Sequence, residues 1–152
     1  MVTIDQIKKL REKTGGGVMD CRKALEEARG DQEKAEALLL KWGVEKSEKK
    51  ADRETKAGLI TSYIHSGGKV GVLVELLCET DFVARTADFQ KLAHEICLQV
   101  ASMAPKDVKA LLKQEYIRDQ SKTIEQLVKE TIGKLGENIT ISRFSRLKIG
   151  EK

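Results

Sequence analysis

Residues 78–85 read Cys78-Glu79-Thr80-Asp81-Phe82-Val83-Ala84-Arg85. A valine-rich run ends here and an amphipathic helical pattern is about to begin, so the stretch is predicted as the turn between a strand and a helix. It places Phe82, a large aromatic residue, directly after the acidic Asp81. A rigid apolar side chain beside a charge suits insertion into another protein better than it suits chemistry. The alternative is that Phe82 is a core residue that packs against the following helix.

Two β-branched runs precede this turn. Leu59–His65 and Val70–Leu77 are separated by Ser66-Gly67-Gly68-Lys69, and this combination predicts a β-hairpin. The turn is followed by the clearest helical pattern of the chain, which stops before Pro105. Its apolar residues recur at helical spacing and are Phe89, Leu92, Ala93, Ile96, Cys97, Val100 and Ala101.

The rest of this half of the chain predicts two further helices, at residues 107–118 and 122–134. A turn at Leu135-Gly136-Glu137-Asn138 then leads into a last strand from Ile139 to Ile149. The order β-β-α-α-α-β favours one antiparallel sheet of three strands with helices on one face. We therefore predict an α+β fold.

The first 43 residues predict three short helices. Thr3 and Gln6 form a capping-box pattern, and Gly15-Gly16-Gly17 ends the first helix. Amphipathic helices of this length bury their apolar faces only against one another, so we predict a three-helix bundle with Trp42 in its small core. The predicted division is a helical domain at 1–43, a charged helical linker at 44–57 and a core domain at 58–152.

The strand pattern places apolar side chains on both faces of the sheet. Alternation along the second strand puts Val72 and Val74 on one face. Leu73 and Leu77 lie on the other face. Helices cover one face only, so the second apolar face requires another partner. We predict self-association through this uncovered face. In the last strand, we predict that one side carries Phe144 and the opposite side carries Ile139, Ile141, Leu147 and Ile149.

Length, charge and cysteine content limit the class of protein. A chain of 152 residues with 40% hydrophobic and 34% charged residues is typical of a globular protein, and its net charge of +4 is mild. No apolar run reaches the roughly 20 residues of a membrane span, and the first residues lack the pattern of a signal peptide. Three cysteines without paired spacing fit a reducing compartment. We expect a cytoplasmic protein with no membrane partner.

No catalytic or metal-binding pattern is complete. The run His94-Glu95-Ile96-Cys97-Leu98 begins like the helix of zinc proteases, but Leu98 stands where the second histidine is required. The only other histidine is His65, and neither glycine-rich stretch continues as a phosphate-binding loop. We expect no catalytic residue, no metal and no cofactor, and therefore no enzyme. His94 is predicted on the surface of its helix.

Three ordered motifs of the chain resemble bacterial elongation factor Ts. The motifs are Thr14–Leu25, with its three consecutive glycines, then Cys78–Ala84, and finally Lys134–Ile139. The resemblance is to the short form of the family, which has a single core repeat, and it covers most of the chain. It implies a ubiquitin-associated-like helical domain followed by a core domain. It also implies guanine-nucleotide exchange on the translational GTPase elongation factor Tu.

The resemblance further implies which residues contact that partner. Asp81 and Phe82 would insert near the Mg²⁺ and the phosphates of the nucleotide held by elongation factor Tu. Thr80 and Val83 complete this signature turn. The other implied contacts are Leu135 and Gly136 on the same surface, Met19 in the helical domain and His65 at the hairpin tip. For Met19, the alternative to a partner contact is a position in the core of the bundle.

Short members of this family pair their sheets across a homodimer, which agrees with the uncovered apolar face. Ser145 stands where some of them carry a cysteine, so we expect no disulfide across that dimer at this position. The helices in the middle of the core domain are shortened relative to those members. No partner contact is therefore assigned to residues 103–130.

Two other classes of function stay open at this point. The bundle is compatible with a scaffold module that binds ubiquitin-like proteins through its glycine-containing loop. RNA binding by the basic end of the chain is the second alternative, although Phe144 is the sole aromatic residue there for base stacking. We expect no direct nucleic-acid binding. The basic residues concerned are Arg143, Arg146, Lys148 and Lys152.

Overall fold

The computed structural model describes residues 1–151. Lys152, which belongs to the predicted core domain and to the basic end of the chain, lies outside the described residues. The chain begins with helices α1 (Ile4–Thr14), α2 (Val18–Glu27) and α3 (Gln32–Glu48). These three helices pack around a small apolar cluster consisting of Leu10, Cys21, Ala24, Leu25, Ala28 and Ala35, with Trp42 packed against it.

Local capping explains where these helices begin and end. Thr3 and Gln6 form the predicted capping box at the start of α1, and Gly15 ends that helix at a φ of +69°. The Asp31 carboxylate accepts a hydrogen bond from the Lys34 N–H at the start of α3. Side-chain caps of this kind replace hydrogen bonds that the first turn of a helix lacks.

Helix α3 does not stop at Gly43. It continues to Glu48, so the segment predicted as a helical linker, 44–57, is helical in its first part only, and strand β1 takes its last residue. Gly43 lies where α3 crosses the later helix α7 (Ile124–Leu135). A Cβ built on Gly133 would lie 2.4 Å from the Gly43 Cα. The bundle and the second half of the chain therefore touch backbone to backbone.

The second half of the chain contains the predicted three-stranded antiparallel sheet. Strands β1 (Ala57–Ile64), β2 (Val70–Cys78) and β5 (Thr140–Lys148) lie in the order β1-β2-β5. Helices α4 (Asp81–Ala84) and α5 (Ala87–Met103) follow β2, and α5 lies on one face of the sheet with Phe89, Ile96 and Val100 fully buried. The predicted α+β fold is confirmed.

The segment after α5 differs from its prediction. The helix predicted at 107–118 ends early, because α6 covers only Val108–Lys113. A two-stranded ribbon of β3 (Glu115–Tyr116) and β4 (Asp119–Thr123) follows it. The physical reason is a contact with α5. The Tyr116 hydroxyl donates a hydrogen bond to the Glu95 carboxylate at 2.8 Å, and the Gln99 side chain bonds the backbone of Glu115 and Ile117.

The last strand also differs from its prediction. The register between β2 and β5 shifts between Glu75 and Leu76, and Ser142 is left between two paired positions. This β-bulge puts Ile141 and Phe144 on the same, core-facing side. The prediction that Phe144 points away from Ile141 was wrong because strict alternation does not hold across a bulge. Leu147 lies on the opposite side and is 75% exposed.

The outer face of the sheet remains without a covering helix. It carries an acidic and a basic residue, Glu75 and Arg143, paired at 2.8 Å. Ser145 lies opposite Leu73 on this face. We call this surface the outer sheet face, and its exposed apolar residues are Ile60, Ile64, Leu73 and Leu147.

Candidate functional site

The turn after β2 carries an exposed aromatic side chain. Thr80 is the N-cap of α4, and its hydroxyl accepts a hydrogen bond from the Val83 N–H at 3.3 Å. Val83 and Ala84 are buried, whereas Phe82 is 79% exposed. The buried aromatic position at the start of α5 belongs instead to Phe89. Phe82 is therefore not a core residue of the free chain.

Asp81 is exposed beside Phe82 and stands in the first turn of α4. The residues that flank the Asp81–Phe82 pair are fixed to the protein, since Thr80 caps the helix and Val83 is buried. The turn thus presents one carboxylate and one aromatic ring to solvent from an anchored backbone. Such a surface is able to accept hydrogen bonds and to fill an apolar pocket at the same time.

The loop after α7 contacts this turn. The Glu137 carboxylate accepts hydrogen bonds from the backbone N–H groups of Glu79 at 3.1 Å and Thr80 at 2.9 Å. It also accepts a hydrogen bond from the Thr80 hydroxyl at 2.7 Å. Leu135 and Gly136 immediately precede Glu137, so two segments that are far apart in the chain lie side by side.

Leu135 is the last residue of helix α7, and Gly136 is its C-cap. Leu135 is half-buried and packs against the main core. Gly136 adopts a φ of +79° as the C-cap, and its N–H donates to the Ile132 carbonyl at 2.8 Å. This left-handed conformation favours glycine. Glu137 was not singled out in the sequence analysis. The only sign of it in the sequence is its position within the motif Lys134–Ile139.

Met19 lies in a separate part of the molecule. It is the second residue of α2 and is 71% exposed, next to Val18 at 48%. The same helix buries Cys21 and Leu25 in the cluster of the bundle. Met19 therefore does not occupy the core of the bundle, and the alternative of a core position was wrong. Trp42 packs against that cluster as predicted, with the Lys23 Nζ 5.0 Å from the centre of its ring.

His65 follows strand β1 at the hairpin turn. Its Nδ1 is 2.9 Å from the Tyr63 hydroxyl, and its ring is exposed. His94 is exposed on the surface of α5, as predicted, and its ring meets Tyr63 edge-on with centroids 6.2 Å apart. Both histidines thus contact the same tyrosine.

The sheet register separates His65 from Phe82. Ala57 pairs with Cys78, just before the turn that carries Phe82, whereas Ile64 pairs with Gly71 at the other end of the hairpin. Seven residue steps at ~3.3 Å each place these two ends roughly 23 Å apart. The structure thus brings Leu135 and Gly136 close to the signature turn, and it places Met19 and His65 elsewhere.

Several titratable groups of the described residues are buried. The three cysteines are buried, and burial raises the pKa of the Cys97 thiol to about 11. Burial, together with the hydrogen bond to Glu95, raises the pKa of Tyr116 to about 12. Within residues 1–151, no group of three or more metal-ligating side chains is assembled, and no helix there is long and apolar enough to cross a membrane.

A cleft of about 430 Å³ lies between the bundle and the core. It is bordered by the glycine loop Gly15–Gly17 and by the facing sides of α3 and α7. Its basic side chains are accompanied by acidic ones, since Lys46 pairs with Asp20 at 3.1 Å and Lys134 pairs with Asp88 at 3.3 Å. The cleft has no excess of positive charge that would favour an anion.

Comparison with known proteins identifies the chain. A sequence model of the family described as Elongation factor TS matches residues 79–152. Elongation factor Ts of Coprothermobacter proteolyticus is 43% identical over 195 residues, covering 99% of each chain. Elongation factor Ts of Thermotoga neapolitana is 42% identical over 194 residues, covering 99% of this chain and 98% of the relative. Elongation factor Ts of a Thermoanaerobacter species is 42% identical over 196 residues, covering 99% of this chain and 96% of the relative.

These matches place the α+β core with its exposed turn among the elongation factors of protein biosynthesis. More specifically, the chain belongs to the elongation factor Ts family, which confirms the resemblance seen in the three motifs. Because the alignments span more positions than the 152 residues of this chain, these relatives contain residues that the chain lacks.

Proposed function

We propose that the chain promotes the release of GDP from elongation factor Tu. The observation that carries this proposal is the exposed Phe82 on a turn whose flanking residues are anchored. An apolar ring that stays in water in the free protein gains free energy when a partner buries it. No chemical step is involved, so we propose an exchange factor that acts in the cytoplasm without a cofactor and is not an enzyme.

The proposed mechanism is a coupling between two ligands of the same GTPase. Factor and nucleotide each weaken the binding of the other, and by linkage the weakening is equal in both directions. Burial of the Phe82 side chain in a partner pocket would contribute ~1.5–3 kcal/mol. Asp81 would accept hydrogen bonds from the partner and disturb the surroundings of the nucleotide's Mg²⁺ and phosphates. Leu135 and Gly136 would line the same contact.

The remaining predicted contacts would lie on two other surfaces. Met19, exposed on α2, would let the helical domain at 1–43 hold the GTPase. His65 would contact a second region of the partner from the far end of the hairpin. We propose that the segment 44–57 connects this domain with the core domain at 58–152. A ubiquitin-associated-like character of the bundle is part of this proposal.

The test of the function is the release of a fluorescent GDP analogue from purified elongation factor Tu. We expect catalytic amounts of the wild-type chain to accelerate release in the presence of excess unlabelled GDP, because the coupling lowers nucleotide affinity. A heat-unfolded sample and an equal amount of an unrelated protein serve as controls. A folded, pure chain without effect on the release rate would contradict the proposal.

We also propose that the chain forms a homodimer through the outer sheet face. Four large aliphatic side chains are exposed there on adjacent strands, and no helix among the described residues covers them. Several large apolar side chains exposed on one face are typical of an interface. Ser145 lies on this face opposite Leu73, so the contact would be non-covalent at that position.

Leu73→Glu tests the dimer. Leu73 lies on the central strand of the sheet and is 51% exposed, so a carboxylate there is tolerated in the monomer but not in an apolar interface. We expect sedimentation equilibrium at tens of micromolar to give a dimer for the wild type and a monomer for Leu73→Glu. Met103→Glu is the matched control, since Met103 on α5 is equally exposed. A monomeric wild type would contradict the proposal.

A further inference from the structure

We infer that Glu137 is the positioning residue for the Asp81–Phe82 turn. This inference rests on the proposed function, since it assigns to Glu137 the task of holding Phe82 ready for the partner. Glu137 itself is set back from the exposed ring and is half-buried. It would act on exchange through the backbone of the turn.

The hydrogen bonds make Glu137 the main link between the two segments. One carboxylate oxygen accepts from the N–H groups of Glu79 and Thr80, and the other accepts from the Thr80 hydroxyl. The three distances of 3.1, 2.9 and 2.7 Å are those of well-formed hydrogen bonds to a charged acceptor. The partners are 57 and 58 residues away along the chain, so the contact is purely tertiary.

The hydroxyl of Thr80 passes this constraint on to Phe82. It donates to Glu137 and accepts the Val83 N–H at 3.3 Å, so it is the cap of α4. Helix α4 has only four residues, and a helix of that length is not stable by itself. Its orientation therefore depends on the cap and on the burial of Val83 and Ala84.

Glu137 is itself held in place. The Asn138 N–H donates to the Glu79 carboxylate at 3.4 Å, so Glu79 donates to Glu137 and accepts from the residue that follows it. The buried Asn138 side chain donates to the carbonyl oxygens of Ala51 and Arg53 at 3.3 and 2.8 Å. The loop after α7, the turn after β2 and the segment after α3 are thus joined by one network.

A turn held by Glu137 favours the insertion of Phe82 into a pocket of the partner. An exposed ring on a mobile turn loses conformational freedom when it binds, and that loss reduces the free energy left for displacing the nucleotide. A turn that is rigid before binding avoids most of this loss. Removing the Glu137 carboxylate would leave Phe82 intact but free its backbone.

The first experiment measures the free chain. Amide hydrogen exchange at Glu79 and Thr80 is expected to be slow in the wild type, because both N–H groups donate to Glu137. In Glu137→Ala we expect exchange at least tenfold faster at these two amides and unchanged exchange in β1. Glu137→Gln keeps one carbonyl oxygen and is expected to be intermediate. Equal exchange in wild type and Glu137→Ala would overturn the inference.

The second experiment is a double-mutant cycle in the GDP-release assay. If Glu137 acts through Phe82, Glu137→Ala slows release several-fold, and the double variant Glu137→Ala/Phe82→Ala is no slower than Phe82→Ala alone. Glu130→Ala is the control for the loss of a carboxylate away from the turn, since Glu130 lies on α7 and pairs with Lys122 at 2.9 Å. If Glu137→Ala is poorly folded, the same cycle is run with Glu137→Gln.

The outcomes separate the two proposals. If the wild type accelerates release, Phe82→Ala does not, and Glu137→Ala is fully active, the role of Glu137 is overturned while the proposed function stands. Multiplication of the two single effects in the double variant also overturns that role, since Glu137 would then act independently of Phe82. A wild type without activity overturns the proposed function, and with it the role of Glu137 in exchange.

Discussion

Phe82→Ala should fold like the wild type and lose most of its ability to accelerate GDP release. The fold is insensitive because Phe82 is 79% exposed and takes no part in the main core. The activity is sensitive because ~1.5–3 kcal/mol of burial in the partner is lost. Since every 1.4 kcal/mol is a factor of ten, we expect the rate at limiting factor concentration to fall by roughly tenfold to a hundredfold.

The measurement is a titration of elongation factor Tu carrying a fluorescent GDP analogue with each variant. Met103→Ala is the control, because it truncates another exposed apolar residue on the same core, away from the signature turn. Thermal unfolding of all variants establishes that they are folded. Wild-type activity in Phe82→Ala would contradict the proposed mechanism, and a large loss of its thermal stability would contradict the exposed position of the ring.

Gly133→Ala should destabilise the chain, whereas Gly43→Ala should not. The two glycines face each other where α3 crosses α7, but their geometry is unequal. A Cβ on Gly133 would lie 2.4 Å from both the Cα and the carbonyl oxygen of Gly43, a distance that requires the helices to separate. A Cβ on Gly43 would lie 3.7 Å from the Gly133 Cα, an ordinary contact.

The two variants should differ in their free energy of unfolding. Overpacking costs typically ~1–3 kcal/mol and the higher helix propensity of alanine offsets ~1 kcal/mol of it, so Gly133→Ala should lower that free energy by up to ~2 kcal/mol. Gly43→Ala has the propensity gain without the clash, so its free energy of unfolding should stay the same or rise by up to ~1 kcal/mol. Urea unfolding followed by the fluorescence of Trp42, the single tryptophan, reports directly on α3. Equal midpoints for the two variants would contradict this packing.

Sequence patterns predicted those elements whose signals are local. The hairpin between Leu59 and Leu77 has β-branched strands on both sides of a glycine turn, and the helix after Thr86 has an uninterrupted apolar stripe. Both formed as predicted because the signals that start and end them, the glycine turn of the hairpin and the caps of the helix, lie within a few residues. The capping box at Thr3 is of the same kind.

Three features lay beyond such patterns because distant residues decide them. The ribbon of β3 and β4 replaced the end of a predicted helix since Tyr116 bonds to Glu95 on α5. The bulge at Ser142 reversed the side on which Phe144 lies, since the partner strand β2 sets the register. Helix α3 passed through Gly43, where α7 packs against it.

The candidate site shows the same division. Asp81 and Phe82 were identified from a turn pattern and a family motif, both of which are contiguous in the chain. That Phe82 and Met19 are exposed rather than in a core depends on which neighbouring residues fill the two apolar clusters. Glu137 escaped notice because its hydrogen-bond partners are 57 and 58 residues away.

The sequence by itself determined the membership of the elongation factor Ts family, the α+β class and the position of the signature turn. Hydrophobic periodicity, helix caps and turn residues act between residues that are close in the sequence, so they can be recognised from a single sequence. Three further findings needed the folded chain: Phe82 is exposed, His65 stands at the far end of the sheet, and Glu137 is hydrogen-bonded to the turn. These depend on packing and hydrogen bonds between residues that approach each other only after the chain has folded.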